Sequence, residues 1–172
     1  MIIYVTGGVR SGKSRFAMEM ALQKSKNPVY VATAKVWDDD FAQRIQRHQD
    51  ERGPDWTSFE SEKDLHLLPL AGRVAVIDCV TLWLTNLFAE FEYNIEKTLT
   101  AFKAEIDALA RTDATLIIIS NEIGMGVHAE TEAGRKFTDL QGWANQYVAS
   151  VASEAILMVS GLPLTLKTTK IG

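Results

Sequence analysis

Five short apolar runs, set apart by longer stretches of helical periodicity, narrow what this chain can fold into. They are MIIYVTG at residues 1–7, PVYVATA at 28–34, RVAVIDC at 73–79, TLIIISN at 115–121 and AILMVSG at 155–161. Each is apolar at nearly every position and not at every second one, which is what a strand needs when helices cover both of its faces. Alternation of such strands with helices predicts an α/β fold built on a mostly parallel sheet. Ile95, Leu99, Phe102, Ile106 and Leu109 recur at three- and four-residue steps and mark the buried face of one helix. Phe137, Leu140, Ala144, Tyr147, Val148 and Val151 do the same for a later one. The segment LPLTLK after Gly161 predicts a last strand at a sheet edge, because Pro163 has no amide proton to donate to a neighbour. At 172 residues and 47% hydrophobic, the chain has material for one core, so residues 1–172 are expected to form a single domain.

The charge balance restricts partners. Net charge is -4, and lysines and arginines are scattered with no basic block, so a nucleic-acid backbone is not an expected partner. Cys79 is the single cysteine and has no internal disulfide partner, and the first apolar run meets glycine too soon for a signal peptide. No apolar run approaches the roughly 20 residues needed to cross a bilayer. A soluble, cytoplasmic protein is expected.

The stretch TGGVRSGKS, directly after the first run, contains Gly7, four residues (Gly8, Val9, Arg10 and Ser11), then Gly12, Lys13 and Ser14. This is the phosphate-loop pattern G-x-x-x-x-G-K-[ST], with a strand before it and a helix, SRFAMEMALQK, after it. Glycines let backbone N–H groups turn inward around an anion, and the helix N-terminus adds its positive dipole end. Lys13 supplies charge for the β- and γ-phosphates, and the Ser14 hydroxyl is suited to Mg²⁺. A P-loop NTPase domain holding a nucleoside triphosphate is the expectation. Such domains also need an acid at the end of another strand, and Asp78 closing VAVID fits. Capping the helix that begins near Thr81 is the other reading of Asp78. GMGVHA, at residues 124–129, resembles a dinucleotide-binding turn, but no acid follows about 20 residues on, at the end of a second strand. It reads better as a loop at the carboxyl edge of the sheet, with Asn121 and Glu122 toward the cleft; a solvated loop carboxylate is the alternative for Glu122.

The segment DDDFAQRIQRHQDERGPDW predicts a helix over 39–52, opened by aspartates and closed by Gly53 and Pro54. Arg44, His48 and Arg52 fall four apart on one face, so two guanidiniums bracket an imidazole. Such flanking cations favour the neutral ring, the form able to attack phosphorus. From the residues alone, an ordinary solvated face accounts for the same pattern. His66 and His128 sit in no comparable pattern. Trp37, Trp56, Trp83 and Trp143 are expected in the core.

Together, TGGVRSGKSRFAM, YVATA, RIQRHQDERGPDW, IDCVTLWLTNL, SNEIGMGV, GRKFTDLQGWANQ and VSGLPLTLK, in this order, resemble the bifunctional adenosylcobinamide kinase/adenosylcobinamide-phosphate guanylyltransferase family of cobalamin biosynthesis. The resemblance spans essentially the whole chain. Its most specific pieces are Arg10 within the loop, the R-I-x-x-H segment at 44–48 and the D-C-x-T-x-W-x-x-N segment at 78–86. It implies a RecA-like sheet, a homotrimer, phosphorylation of adenosylcobinamide by ATP or GTP, and transfer of GMP from GTP to adenosylcobinamide phosphate through a guanylyl-histidine. By the resemblance His48 is that histidine. Family nucleotide contacts carry over to the loop from Gly7 to Ser14, to Ala32, Thr33 and Ala34, to Arg52, Gly53, Pro54 and Asp55, to Glu60 and to Asp78. One departure is visible: many members read G-x-G-[IV]-V-P after NE, whereas this chain reads GMGVHA, with no proline there and His128 and Ala129 at the last two positions. Two other readings compete: a monofunctional P-loop kinase of another small metabolite, with His48 idle, and a nucleotide-dependent binding module without turnover.

Overall fold

The computed structural model describes residues 1–34 and 53–168. The expected helix over 39–52, with Arg44, His48 and Arg52, lies outside the described residues. In chain order the elements are β1 (Ile2–Gly7), α1 (Lys13–Lys24), β2 (Val29–Ala32), β3 (Thr57–Glu60), a 3₁₀ turn (Leu65–Leu67) and β4 (Val74–Asp78). There follow α2 (Val80–Glu90), α3 (Ile95–Ala110), β5 (Thr115–Ile119), α4 (Glu132–Val151), β6 (Glu154–Val159) and β7 (Leu162–Thr168).

One seven-stranded sheet runs in the order β3-β2-β4-β5-β1-β6-β7. Every neighbouring pair is parallel except β6 and β7. Parallel strands put all their carboxyl ends on one edge, so β1, β2, β3, β4 and β5 deliver their following loops to the same side. The apolar runs are unbroken because successive residues feed two cores. On one face Ile2, Tyr4, Val31, Ile77, Leu116 and Ile118 pack with Trp83, Phe102, Ile106, Leu140 and Val148 from α2, α3 and α4. On the other, Ile3, Val5, Tyr30, Val76, Ile117 and Ile119 pack with Ala17 and Ala21 of α1.

Local signals set the helix starts. The Asn94 side chain accepts from the Lys97 amide at 2.9 Å to open α3, and Thr131 accepts from the Gly134 amide at 3.1 Å to open α4. The last strand is the expected edge strand, paired antiparallel to β6 through a two-residue turn with Ser160 at φ 51° and Gly161 at φ 82°. β3 is an addition to the expected strands, a four-residue edge strand in which Phe59 alone is apolar and packs on the core.

Two expectations for the core need correcting. Trp83 is fully buried edge-on to Phe102, and Trp56 packs against the α1-side core beside Tyr30. Trp143, however, is 46% exposed, because the buried stripe of α4 runs through Leu140, Ala144 and Val148 and position 143 falls beside it. Trp37 lies outside the described residues. Val151, expected on the same stripe, is the last residue of α4 and is exposed. No helix among the described residues is long and apolar enough to cross a membrane.

Candidate functional site

The phosphate loop sits where β1 ends and α1 begins, at the carboxyl edge. Its shape depends on two glycines. Gly7 has φ 152°, and a Cβ there would lie 2.5 Å from the Met158 carbonyl oxygen on β6; Gly12, at φ 93°, leads directly into α1. Arg10 also adopts a left-handed backbone, at φ 57°, and like Gly8 and Val9 it is exposed. The amide of Gly161 donates to the Ser11 carbonyl at 3.0 Å, so the β6–β7 turn braces the loop from behind. No sequence pattern marks that brace.

Lys13 is 7% exposed, and its ammonium donates to the Gly8 carbonyl at 2.6 Å. Burial lowers its pKa, opposed by the fields of Asp78, Cys79 and Glu122. Those three therefore share its surroundings. Ser14 and Asp78, 64 residues apart in the chain, meet directly: the Ser14 hydroxyl donates to Asp78 Oδ2 at 2.8 Å. The Tyr30 hydroxyl donates to the same oxygen at 2.8 Å. Of the two readings of Asp78, capping of α2 fails, because Cys79 is the N-cap residue and no side chain caps the helix. Two adjacent hard oxygen donors, one of them a carboxylate, suit a magnesium ion.

The Thr33 hydroxyl, fully buried, donates to the Cys79 carbonyl and accepts from the Cys79 amide, both at 2.8 Å. The Thr33 amide donates to the Asp78 carbonyl at 3.0 Å, and Asn86 donates to the Thr33 carbonyl at 2.8 Å. Thr33 thus holds the turn that carries Asp78, with Ala32 and Ala34 on either side. Glu60 ends β3 at the same edge, exposed, on the outermost strand.

Gly53, Pro54 and Asp55 are not brought to the loop. They precede β3, whose first residue Thr57 registers with Val29, and so lie at the amino edge. There Pro54 and Asp55 line a cavity of about 670 Å³ with Asn27, Trp56 and Arg73. The four-residue strand separates them from the carboxyl edge by about 13 Å.

Glu122 is not a solvated loop carboxylate. Thr6 donates to its Oε1 at 2.8 Å and Asn145 at 3.1 Å, and its amide donates to the Gly7 carbonyl at 3.1 Å. Asn121 donates to Thr81 Oγ1 at 2.9 Å. Beyond it the glycine loop is open to solvent, with Met125 77% and Val127 97% exposed.

Comparison with known proteins adds to this geometry. The model of the cobinamide kinase / cobinamide phosphate guanyltransferase family matches residues 3–166. The bifunctional adenosylcobalamin biosynthesis protein CobU of Escherichia coli (strain K12) is 36% identical, covering 97% of this chain and 100% of that protein. CobU of Salmonella typhimurium is 34% identical over the same shares, and CobP of Pseudomonas aeruginosa is 33% identical over 95% of each chain. Among solved structures, the P4 protein of bacteriophage phi6 in complex with ADP is similar at TM-score 0.53, with 16% identity over 99% of this chain and 55% of that one. A protein from Pyrococcus horikoshii OT3 is similar at TM-score 0.56, with 10% identity over 99% and 87%. At those identities the likeness concerns the fold alone.

Proposed function

The chain belongs to the cobinamide kinase / cobinamide phosphate guanyltransferase family, and on that premise we propose that it phosphorylates adenosylcobinamide with ATP or GTP and then carries GMP from GTP to the product through His48, yielding adenosylcobinamide-GDP. The observation that carries the nucleotide half of this reading is the meeting of Lys13, Ser14 and Asp78 at one sheet edge. In the kinase step the loop amides from Gly8 to Ser14, with Lys13 and Arg10, hold the triphosphate and offset charge as the γ-phosphoryl group leaves. Ser14 and Asp78 would hold Mg²⁺, which when bound neutralises phosphate charge. Tyr30 orients the Asp78 carboxylate for that task.

In the second step the neutral His48 imidazole attacks the α-phosphorus of GTP and pyrophosphate leaves. The phosphate of adenosylcobinamide phosphate then displaces the histidine. Two in-line displacements replace one difficult transfer. The protein works in the cytoplasm as a homotrimer in this reading, and the exposed Leu162, Leu164 and Leu166 on edge strand β7 offer an apolar surface suited to such assembly.

The test uses α-labelled GTP. Wild type takes up an acid-labile, base-stable label on the protein, and His48→Ala loses it while phosphorylation of adenosylcobinamide persists. Survival of the adduct in His48→Ala removes His48 as nucleophile. Absence of any adduct in wild type leaves a kinase alone.

A further inference from the structure

Glu122 sits beside the phosphate loop on a support that a loop carboxylate does not ordinarily have. β5 is one of the two strands that flank β1, and Glu122 follows it, with its amide on the Gly7 carbonyl at 3.1 Å. Its field reaches the Lys13 ammonium. Among the described residues, both side-chain hydrogen bonds it accepts, from Thr6 and Asn145, go to Oε1. No described residue donates to Oε2.

Buried groups fix this orientation. Asn145, 6% exposed, presents its nitrogen to Glu122 because its oxygen is occupied by the Ser120 hydroxyl at 2.6 Å and by Gln141 at 2.8 Å. Gln141 also donates to Ser120 at 3.0 Å. Thr6, Ser120, Gln141 and Asn145 are all buried. Burying polar side chains is costly unless they are matched; Thr6 and Asn145 donate directly to the carboxylate, and Ser120 and Gln141 hold Asn145, although Gln141 Oε1 finds no partner among the described residues. Among the described residues, two other acids at this edge are committed or remote. Asp78 is bonded to Ser14 and Tyr30, and Glu60 lies four strands from β1, about 19 Å at ordinary strand spacing.

We propose that Glu122 is the general base of the kinase half-reaction, an inference that rests on the function proposed above. As the alcohol oxygen of the acceptor bonds to the γ-phosphorus and the bond from the γ-phosphorus to the β–γ bridging oxygen breaks, the hydroxyl proton passes to Glu122 Oε2. The nucleoside diphosphate leaves, and the proton is later released to solvent. The guanylyl-transfer half-reaction has no such requirement. Its nucleophiles are a neutral imidazole and a phosphate oxygen, neither of which has an alcohol proton to lose.

The two half-reactions therefore give separate readouts in the full chain. Glu122→Gln is expected to lower the rate of adenosylcobinamide phosphorylation by about 10²–10⁴-fold, with little change in the nucleotide KM. The same variant retains label uptake from α-labelled GTP and GMP transfer to preformed adenosylcobinamide phosphate. Glu122→Asp, which keeps the carboxylate and retracts it by one methylene, should fall between. A Glu122→Gln kinase rate within a few-fold of wild type overturns the proposal. So does an equal loss of both activities, which marks a structural role. If the unaltered chain phosphorylates no alcohol, the functional reading falls and takes this proposal with it.

Discussion

Thr33→Val tests how the Asp78 turn is held. Valine matches threonine in shape but has no hydroxyl, so the substitution deletes two hydrogen bonds from a fully buried position without opening a cavity. Their partners fare differently. The Cys79 carbonyl keeps the Trp83 amide at 3.1 Å, whereas no other bond is seen from the Cys79 amide among the described residues. Leaving that N–H unsatisfied costs about 1–3 kcal/mol, and losing the bond to the carbonyl about 0.5–1.5 more. The sum, about 1.5–4.5 kcal/mol, corresponds to a Tm lower by roughly 3–18 °C for a chain of this size. Thermal unfolding followed by circular dichroism, at one fixed protein concentration, measures it. Thr33→Ser is the diagnostic partner, because it keeps the hydroxyl and loses a buried methyl. If burial of apolar surface governed the site, valine would be the milder change; if the hydroxyl governs, serine is. A Thr33→Val protein that melts with or above Thr33→Ser refutes the reasoning.

Two further predictions concern ionisable groups. Cys79 is buried, and burial followed by the field of Asp78 pushes its thiol up to about 12, so alkylating reagents at neutral pH should modify it only as fast as the protein opens; rapid labelling of the native chain contradicts this. Glu105 on α3 is mostly buried beneath the 3₁₀ turn, accepting from the Leu65 amide at 3.0 Å and facing His66 at 3.3 Å. Burial raises its carboxyl pKa, outweighing the lowering by His66, so its folded value lies above the unfolded one. Its contribution is then fully present below the unfolded pKa and is lost as pH rises through the folded one. In a His66→Gln background, which removes the imidazole titration, the Tm advantage of Glu105 over Glu105→Gln should shrink from about pH 4 to about pH 7. An advantage that grows over that window reverses the assigned sign.

Most of the sheet could be read from the order of residues because burial on two faces leaves a strong mark. Strands β1, β2, β4, β5 and β6 each carry an unbroken apolar run, since their alternate residues enter different cores. β3 carries no such mark. It is an edge strand covered only at Phe59, and TSFE has the composition of a loop. Its pairing with β2 is dictated by the sheet edge already present, which no local pattern reports. The expectation for Trp143 fails for a different reason: it rests on residue type and not on periodicity, whereas the helical stripe through Leu140, Ala144 and Val148 passes beside position 143 and leaves it in solvent.

The site divides along the same line. Phosphate loops are legible because their chemistry demands glycines, a lysine and a hydroxyl at fixed spacing along one turn. Asp78 could be proposed because an acid at a strand end is a local feature, although its contact with Ser14 spans 64 residues. Tyr30, Thr33 and the Ser120–Gln141–Asn145 support of Glu122 had no such signature. Each is a polar residue inside an apolar run or stripe, where local reading counts it as noise against the hydrophobic pattern. That interruption is itself a signal of a kind. A threonine, asparagine or glutamine placed where a core residue would be more stable must be matched by a partner, and in this fold the partners lead to the carboxyl edge. Polar exceptions within the core stripes, more than the exposed charges, point to where the chemistry is held.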